Sequence, residues 1–193
     1  MKPESEIVTK IFESENLTPF EVNLVCDSFE KISVKKGDIL LQAHDQVNFE
    51  YYVQTGCLRT YFIDPSGKEH TLQFAINDWW ISDYTAYFTE GKAMMFIECI
   101  QDATLYKVSH TQMEQLYAQI PKVETFFRRK MERAFASFQK RILATLSQTA
   151  TQRYISFIET YPNIEQIVKN YHIASFLGIT TESLSRIRKE ISQ

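Results

Sequence analysis

The side chains best suited to recognising another molecule are concentrated late in the sequence, in TESLSRIRKEI (residues 181–191). Read as a helix, this segment turns Leu184, Ile187 and Ile191 inward and leaves polar and charged side chains outside. Such a mixture can contact both the phosphates and the base edges of duplex DNA. The predicted DNA contacts are Thr181, Glu182, Ser185, Arg186, Arg188 and Lys189.

The chemistry of these side chains suggests different roles for them. Glutamate accepts a hydrogen bond from cytosine N4, and arginine binds guanine O6 and N7 together. We therefore expect Glu182 and Arg186 to read bases, with Ser185 in support. Arg188 and Lys189 are better suited to phosphate contacts.

The residues before this helix fit the first helix and the turn of a helix-turn-helix. Ala174 supplies a small residue where two helices approach, and Gly178 tolerates the positive φ that the turn requires. Thr180 can cap the second helix. The apolar residues that would lock the two helices together are Ile173, Leu177, Ile179, Leu184 and Ile187. The sequence predicts an all-α helix-turn-helix domain over residues 148–193.

A long amphipathic helix is predicted over residues 122–147, which contain neither glycine nor proline. Its apolar side chains recur at steps of three or four residues: Phe127, Met131, Ala134, Phe138, Ile142 and Leu146. A stripe of this length must be covered by another surface. The two alternatives are the preceding domain and the same helix of a second copy. We favour the second copy, because so long a helix can reach beyond its own domain.

Residues 1–121 read as helices followed by strands. Residues 3–29 have helical spacing, and Thr18-Pro19 is typical of a helix start. From residue 31 onward, short apolar stretches alternate with turn signals, and we expect Gly56 and Gly67 to lie at hairpin turns. A short helix is predicted at TQMEQLYAQI. The fold class is therefore α+β, with an N-terminal antiparallel β roll, a long helix and an all-α C-terminal domain.

The net charge of −3 hides a division between the two parts of the chain. Residues 1–121 hold 9 basic and 18 acidic residues, whereas residues 122–193 hold 12 basic and 6 acidic residues. This asymmetry indicates that only the second part meets a polyanion.

Several classes of protein are disfavoured by the sequence. No run of about 18 apolar residues is present, and MKPESE at the start does not resemble a signal peptide, so we expect a cytoplasmic protein without membrane association. Cys26, Cys57 and Cys99 are scattered, which fits reduced thiols, with Cys57 and Cys99 packed in a core, and argues against a structural metal. No nucleophile, base and oxyanion set with convincing spacing is found, so we do not expect an enzyme.

The order of these elements resembles the Crp/Fnr family of transcription regulators. YYVQTGCLRTYFIDPSGKEHTLQF is similar to the central strands of the family's cyclic-nucleotide-binding-type β roll. ITTESLSRIRK is similar to its recognition helix, and Glu182, Ser185 and Arg186 match the Glu-x-x-Ser-Arg pattern of the oxygen-responsive branch. The resemblance implies a homodimer along residues 122–147 that binds an inverted repeat with TTGA-like half-sites, with RNA polymerase as a further partner. The sequence ends at Gln193, so we expect no β-hairpin wing after the helix.

The sensor region departs from the family's cyclic-AMP binders. These cradle the phosphate with Gly-Glu-Leu and, about ten residues later, Arg-Ser. Ser82-Asp83-Tyr84 and Met94-Met95 stand at these places, so the phosphate-binding arginine is missing, and the alternation of the strand points Arg59 elsewhere. Cyclic AMP is therefore disfavoured, an iron–sulfur cluster lacks its cysteines, and no cofactor is assigned. Two alternatives stay open, a roll filled by its own side chains and an aromatic effector pocket formed by Trp80, Ser82, Asp83, Tyr84, Met94 and Met95.

A different class of function also stays open. The chain could sense a small molecule and act through protein contacts, with a helix-turn-helix that is purely structural. The positive balance after residue 121 argues against this alternative, and duplex binding that weakens steeply with salt would separate the two.

Overall fold

The computed structural model describes residues 2–191, which form two compact units. The first unit comprises residues 2–60 and 74–132, and the second comprises residues 61–73 and 133–191. The predicted helix-turn-helix domain extends two residues past the described part. Over residues 2–191, no helix combines the length and the apolar content needed to cross a bilayer.

Six strands in the described residues form one sheet. They are β1 (Glu30–Val34), β2 (Ile39–Leu41), β3 (Phe49–Ile63), β4 (Glu69–Ala75), β5 (Trp79–Ile81) and β6 (Phe96–Ser109). The strand order is β1-β6-β3-β4, with β2 on β6 and β5 on β3. The registered pairs β1–β6, β2–β6 and β3–β5 are antiparallel. The predicted antiparallel architecture is thereby confirmed.

Eight α-helices complete the described chain. They are α1 (Ser5–Ile11), α2 (Pro19–Ser28), α3 (Tyr84–Thr89), α4 (His110–Gln119), α5 (Pro121–Ser147), α6 (Ala150–Thr160), α7 (Asn170–Leu177) and α8 (Thr181–Ile191). The start predicted for α2 is confirmed, because Thr18 forms a capping box with Glu21, and Thr149 caps α6 in the same way with Gln152.

The expected hairpin turn at Gly56 is wrong, whereas the one at Gly67 is confirmed. Strand β3 runs through Gly56 without interruption, but Gly56 has φ +97°. A Cβ atom at this position would lie 2.5 Å from both Ala103 Cβ and Asp102 O on β6. The glycine is required because β3 adopts a left-handed conformation and passes close to the backbone of β6.

The first unit has a core in two parts. One part packs α1, α2, α4 and the start of α5 together, with Phe12 against Phe126 at a ring distance of 4.7 Å. The other part fills the roll and includes Leu58, Ile97 and Leu105, all with no exposed surface. Cys57 and Cys99 belong to the core, as predicted, and their thiols are free.

The second unit joins the tip of the β3–β4 hairpin to helices. The Ser175 hydroxyl on α7 accepts from Thr71 N and donates to Glu69 O, both at 2.9 Å. The Arg141 guanidinium on α5 donates to Leu72 O and lies over the Phe176 ring at 4.7 Å. Within this unit, the hairpin tip is thus held by both α5 and α7.

Candidate nucleic-acid interface and sensor region

Helix α8 is held by the cap and the apolar face that the sequence predicts. Thr180 Oγ1 accepts from Ser183 N at 3.2 Å, which satisfies a free N–H group of the first turn. Leu184 and Ile187 are buried, but Ile191 is 43% exposed, so the prediction that it faces inward is wrong. The apolar lock therefore ends at Ile187, one turn earlier than the helical period suggested.

The turn before α8 adopts the geometry that its glycine permits. Gly178 closes α7 with φ +68°, and Ile179 N donates to Ala174 O at 3.0 Å. Arg153 on α6 supports the same end of α7, because its Nε donates to Leu177 O at 3.3 Å. The start of α8 is thus fixed against both preceding helices.

Four of the predicted DNA contacts project into solvent from α8: Glu182, Ser185, Arg186 and Lys189. Thr181 is half-buried, and its hydroxyl donates to Glu182 Oε1 at 3.2 Å. Hydrogen bonds from the Glu182 backbone N–H and from Thr180 hold the pKa of Glu182 below its usual range. The Glu182 carboxyl group is therefore an ionised acceptor at neutral pH, which is the form that cytosine N4 requires.

The guanidinium of Arg186 is available for an external partner. Within residues 2–191, no hydrogen bond or ion pair engages it, and the side chain is exposed. The nearby Ser185 hydroxyl donates to Thr181 O at 3.0 Å and keeps its acceptor lone pairs. An exposed arginine beside an exposed carboxylate can address a G·C pair from the major groove.

Arg188 has a different environment from the one predicted for a phosphate contact. Its Nη2 lies 2.6 Å from Glu165 Oε1, its Nη1 donates to Asn170 Oδ1 at 2.6 Å, and its Nε donates to the Tyr154 hydroxyl at 3.3 Å. The side chain is 26% exposed. Because the guanidinium already forms an ion pair with Glu165 and donates hydrogen bonds to Asn170 and Tyr154, the structure does not support Arg188 as a phosphate contact.

The side chains of three predicted pocket residues already pack or form hydrogen bonds inside the first unit. Trp80 is buried against Phe127 at a ring distance of 4.6 Å, and the Ser82 hydroxyl donates to Phe49 O at 2.9 Å. Asp83 has no exposed surface. Its carboxylate accepts from Met94 N and Met95 N at 2.8 and 3.1 Å, and from Ala86 N at 3.3 Å. Asp83 stands at the place of the glutamate in the family's Gly-Glu-Leu, and here its carboxylate is bonded to backbone N–H groups of the chain itself.

The side chain of Tyr84, a fourth predicted pocket residue, contacts a buried acid that the sequence analysis did not identify. The Tyr84 hydroxyl donates to Glu50 Oε2 at 3.3 Å, and Glu50 on β3 is only 2% exposed. Burial raises the pKa of Glu50 to about 8, and the hydrogen bond from Tyr84 opposes part of that rise. The sequence FEYYV did not mark Glu50 as buried. Alternation predicts one exposed face for a strand, but at this point both faces of β3 are covered.

We expect replacement of Glu50 by glutamine to stabilise the protein increasingly as pH rises. The unfolded chain loses the Glu50 proton near 4.5 and the folded protein near 8, so folded wild type loses stability through this window. The difference in free energy of unfolding between Glu50→Gln and wild type should grow by about 1–3 kcal/mol between pH 5 and pH 8. Urea denaturation at both pH values measures it, with the exposed Glu114→Gln as control. A constant difference would show that Glu50 is ionised in the folded state.

Arg59, which is the one arginine in the sequence before residue 128, is paired with a carboxylate. Arg59 is 2% exposed, and its Nε and Nη2 lie 2.8 and 2.6 Å from Glu98 Oε2. The structure therefore binds Arg59 to a carboxylate of β6. A bound phosphate would have to compete with that carboxylate for the guanidinium.

The first unit also has an open groove of about 560 Å³ between α4 and α5. It is lined by Glu114, Tyr117, Ala118, Glu124, Phe127, Arg128 and Met131. None of the six predicted pocket residues lines it. The predicted effector pocket stays a prediction.

The exposed apolar stripe of α5 differs from the predicted one by the loss of Phe127 and the addition of Phe135 and Leu143. Phe127 is 4% exposed and packs on Trp80, so we remove it from the surface offered to a partner. Met131 and Ala134 are half-buried. The exposed stripe, all within the second unit, is formed by Phe135, Phe138, Ile142, Leu143 and Leu146. Phe135 and Leu143 were missed because the prediction followed a single series of apolar residues spaced three or four apart. The apolar face of an amphipathic helix is wider than one such series.

Comparisons with known proteins agree with this architecture. Residues 31–120 match the family described as Cyclic nucleotide-binding domain. The Anaerobic regulatory protein of Haemophilus influenzae is 22% identical over 170 residues, which cover 81% of this chain and 65% of that relative. The chain thus spans just under two thirds of that relative's length.

Two solved structures share the fold of the chain. FixK2 from Bradyrhizobium japonicum matches with a TM-score of 0.74 at 17% identity, covering 85% of this chain and 84% of FixK2. A putative transcriptional regulator of the Crp/Fnr family from Eubacterium rectale matches with a TM-score of 0.71 at 20% identity, covering 93% of this chain and 85% of that one. The matched domain and the named relatives confirm the resemblance to Crp/Fnr regulators.

Proposed function

We propose that this chain is a homodimeric transcription regulator of the Crp/Fnr type that binds an inverted repeat in duplex DNA through α8. The observation that carries the proposal is the division of α8 into two faces. Leu184 and Ile187 fix one face to the domain, while Glu182, Arg186 and Lys189 are exposed on the other. The excess of basic residues after residue 121 supports a polyanionic partner for the same part of the chain.

Homodimerisation is supported by the exposed stripe of α5. Ile142 is 60% exposed and Leu146 is 79% exposed, so large apolar side chains of α5 are open to solvent in the single chain. Two copies of the stripe related by a two-fold axis would cover each other, and each residue near the axis would meet its own copy. A two-fold dimer also presents two copies of α8, which is the symmetry of an inverted repeat.

We further propose that DNA binding does not depend on cyclic AMP. The Asp83 carboxylate already occupies the backbone N–H groups of Met94 and Met95, and no arginine accompanies them. A phosphate entering this position would meet a buried negative charge instead of a cation, which is strongly unfavourable. Arg59, the other candidate cation, forms an ion pair with Glu98.

RNA polymerase as a partner remains a prediction.

We propose that an effector bound in the roll would work by changing the conformation of the short connection between α5 and α6. Gln148 and Thr149 separate α5, which ends at Ser147, from α6, which begins at Ala150. A change in this connection would alter the spacing of the two α8 helices in a dimer. Limited proteolysis around residues 147–152, with and without a candidate ligand, tests this role.

Replacing Arg186 by alanine should weaken binding and relax specificity at one base pair of each half-site. The loss on the preferred sequence should be about 1–3 kcal/mol, because bidentate recognition of guanine is removed. Fluorescence anisotropy with the repeat that wild type selects, and with its single-base variants, measures the effect. Lys189→Ala is the matched control, and it should weaken binding to all duplexes equally. An equal loss on every sequence for Arg186→Ala would contradict direct reading.

The same titrations, repeated at several salt concentrations, test the alternative of a sensor that acts only through protein contacts. For a DNA-binding protein, the logarithm of the binding constant falls linearly with the logarithm of salt concentration, because phosphate contacts release counterions. Wild type should show this dependence with the selected repeat. Absence of duplex binding at low salt, by protein that is folded, would favour a structural helix-turn-helix.

A further inference from the structure

The side chain of Arg188 connects α8 to three other elements of the second unit. Its donors reach Tyr154 on α6, Glu165 in the 3₁₀ turn Ile164–Gln166, and Asn170 at the start of α7. Tyr154 and Glu165 are also bonded to each other, because the Tyr154 hydroxyl donates to Glu165 Oε1. The guanidinium therefore closes a network of four side chains from four elements.

The planar geometry of arginine suits this position. A guanidinium presents five N–H donors in a fixed fork, so it can hold acceptors in several directions at once. Its carbon lies 5.8 Å from the centroid of the Tyr154 ring, which adds a cation–π contact. An ammonium group would keep the charge of this contact but could not span the three acceptors with the same geometry.

The network lies on the side of α8 away from the exposed readers. Arg188 is half-buried, whereas Arg186 and Lys189 are exposed. Among the described residues, Ile187 is the last buried apolar residue of α8, since Ile191 is 43% exposed. Arg188 is thus a polar attachment beyond the apolar lock, and it restrains the rotation and tilt of the reading helix.

We propose that Arg188 is a positioning residue, which sets the orientation of α8 and thereby the specificity of base reading, and that it does not contact phosphate. This inference rests on the proposed function. It assigns Glu165, Asn170 and Tyr154 a part in DNA recognition although they do not touch DNA. The sequence pattern alone had placed Arg188 beside Lys189 as a phosphate contact.

The test compares Arg188→Lys with wild type, using the repeat that wild type selects and a scrambled duplex of the same composition. If Arg188 positions α8, Arg188→Lys should lose about tenfold in affinity for the repeat, keep its affinity for the scrambled duplex, and keep the salt slope. A phosphate contact would tolerate lysine, which also binds phosphate, so wild-type affinity of Arg188→Lys for both duplexes would overturn the proposal.

Two further variants separate positioning from other roles. Glu165→Gln should lower affinity for the repeat in the same direction as Arg188→Lys, because it weakens the network. A gain in affinity on both duplexes would mean instead that releasing Arg188 creates a phosphate contact, which contradicts the proposal. Lys189→Ala is the reference for a true phosphate contact and should reduce the salt slope by about 1.

Hydrogen exchange in the absence of DNA tests whether Arg188 holds α8, independently of whether the protein binds DNA. Amides of α8 should exchange faster in Arg188→Lys and in Glu165→Gln than in wild type, while circular dichroism shows each variant to be folded. Unchanged exchange in α8 would overturn the positioning role even if DNA binding is found. If wild type binds no duplex at all, the proposed function fails, and the exchange data alone still decide whether Arg188 holds α8.

Discussion

Replacing Ile142 by glutamate is expected to convert the dimer into a monomer and to lower affinity for an inverted repeat by about 10²- to 10⁴-fold. Ile142 lies in the middle of the exposed stripe on α5. In a two-fold dimer, the introduced carboxylate of each copy would be buried against apolar side chains and close to its symmetry mate, which penalises association. A monomer carries one α8 and loses the gain from binding two half-sites together. Analytical ultracentrifugation and anisotropy titrations measure the two effects.

The matched control for this substitution is Ser137→Glu. Ser137 is exposed on the same helix, about 140° around the axis from Ile142, so the variant adds the same charge away from the stripe. It should remain dimeric and keep its affinity apart from a modest electrostatic loss. If both variants stay dimeric, α5 is not the dimer interface. If both become monomeric, added charge alone is responsible.

Replacing Gly56 by alanine is expected to reduce the free energy of unfolding by about 2–5 kcal/mol. Two costs combine, a left-handed φ for a residue with a side chain, about 1–2 kcal/mol, and overpacking against β6, about 1–3 kcal/mol. The new Cβ would lie 2.5 Å from Asp102 O, a backbone atom that cannot rotate away. Urea denaturation, with wild type measured in parallel, gives the difference.

Gly67→Ala is the control that separates these two costs. Gly67 has φ +84°, but a Cβ there would meet nothing within 4 Å, so only the conformational cost of about 1–2 kcal/mol should remain. Adding Ala103→Gly to Gly56→Ala should recover part of the loss, since Ala103 Cβ is one of the crowded atoms. Equal losses for Gly56→Ala and Gly67→Ala would mean that β3 has room for a methyl group at residue 56.

Local sequence rules were sufficient where short-range interactions decide the structure. The caps at Thr18, Thr149 and Thr180, together with the glycine at the end of α7, were predictable because each depends on residues within four positions. The succession of helices, strands and helices followed from the change in hydrophobic period along the chain. The same rules placed Glu182, Arg186 and Lys189 on one exposed face.

Contacts between distant residues explain where those rules were insufficient. Gly56 was read as a turn residue because glycine is common in turns, but its conformation is required by the approach of β6, about fifty residues away in sequence. Arg59 and Glu98 meet across β3 and β6, which no local pattern relates. Arg188 resembled a phosphate contact because its partners Tyr154 and Glu165 precede it by more than twenty residues.

The sensor region illustrates a second limit of the sequence. Asp83 was predicted as a residue of the effector pocket, since Ser82-Asp83-Tyr84 stands at the place of the family's Gly-Glu-Leu. Its carboxylate instead bonds to the backbone of Met94 and Met95. The residue type alone does not show whether a carboxylate accepts hydrogen bonds from a ligand or from the chain's own backbone, because it can accept from either.

The most direct test of the account is a selection from random duplex DNA with purified protein, carried out with and without cyclic AMP. One symmetric inverted repeat should be enriched in both conditions, with positions that change when Arg186 is replaced by alanine. If folded, dimeric protein enriches no sequence, α8 does not read DNA as proposed. A repeat that emerges only with cyclic AMP would contradict the role given to Asp83.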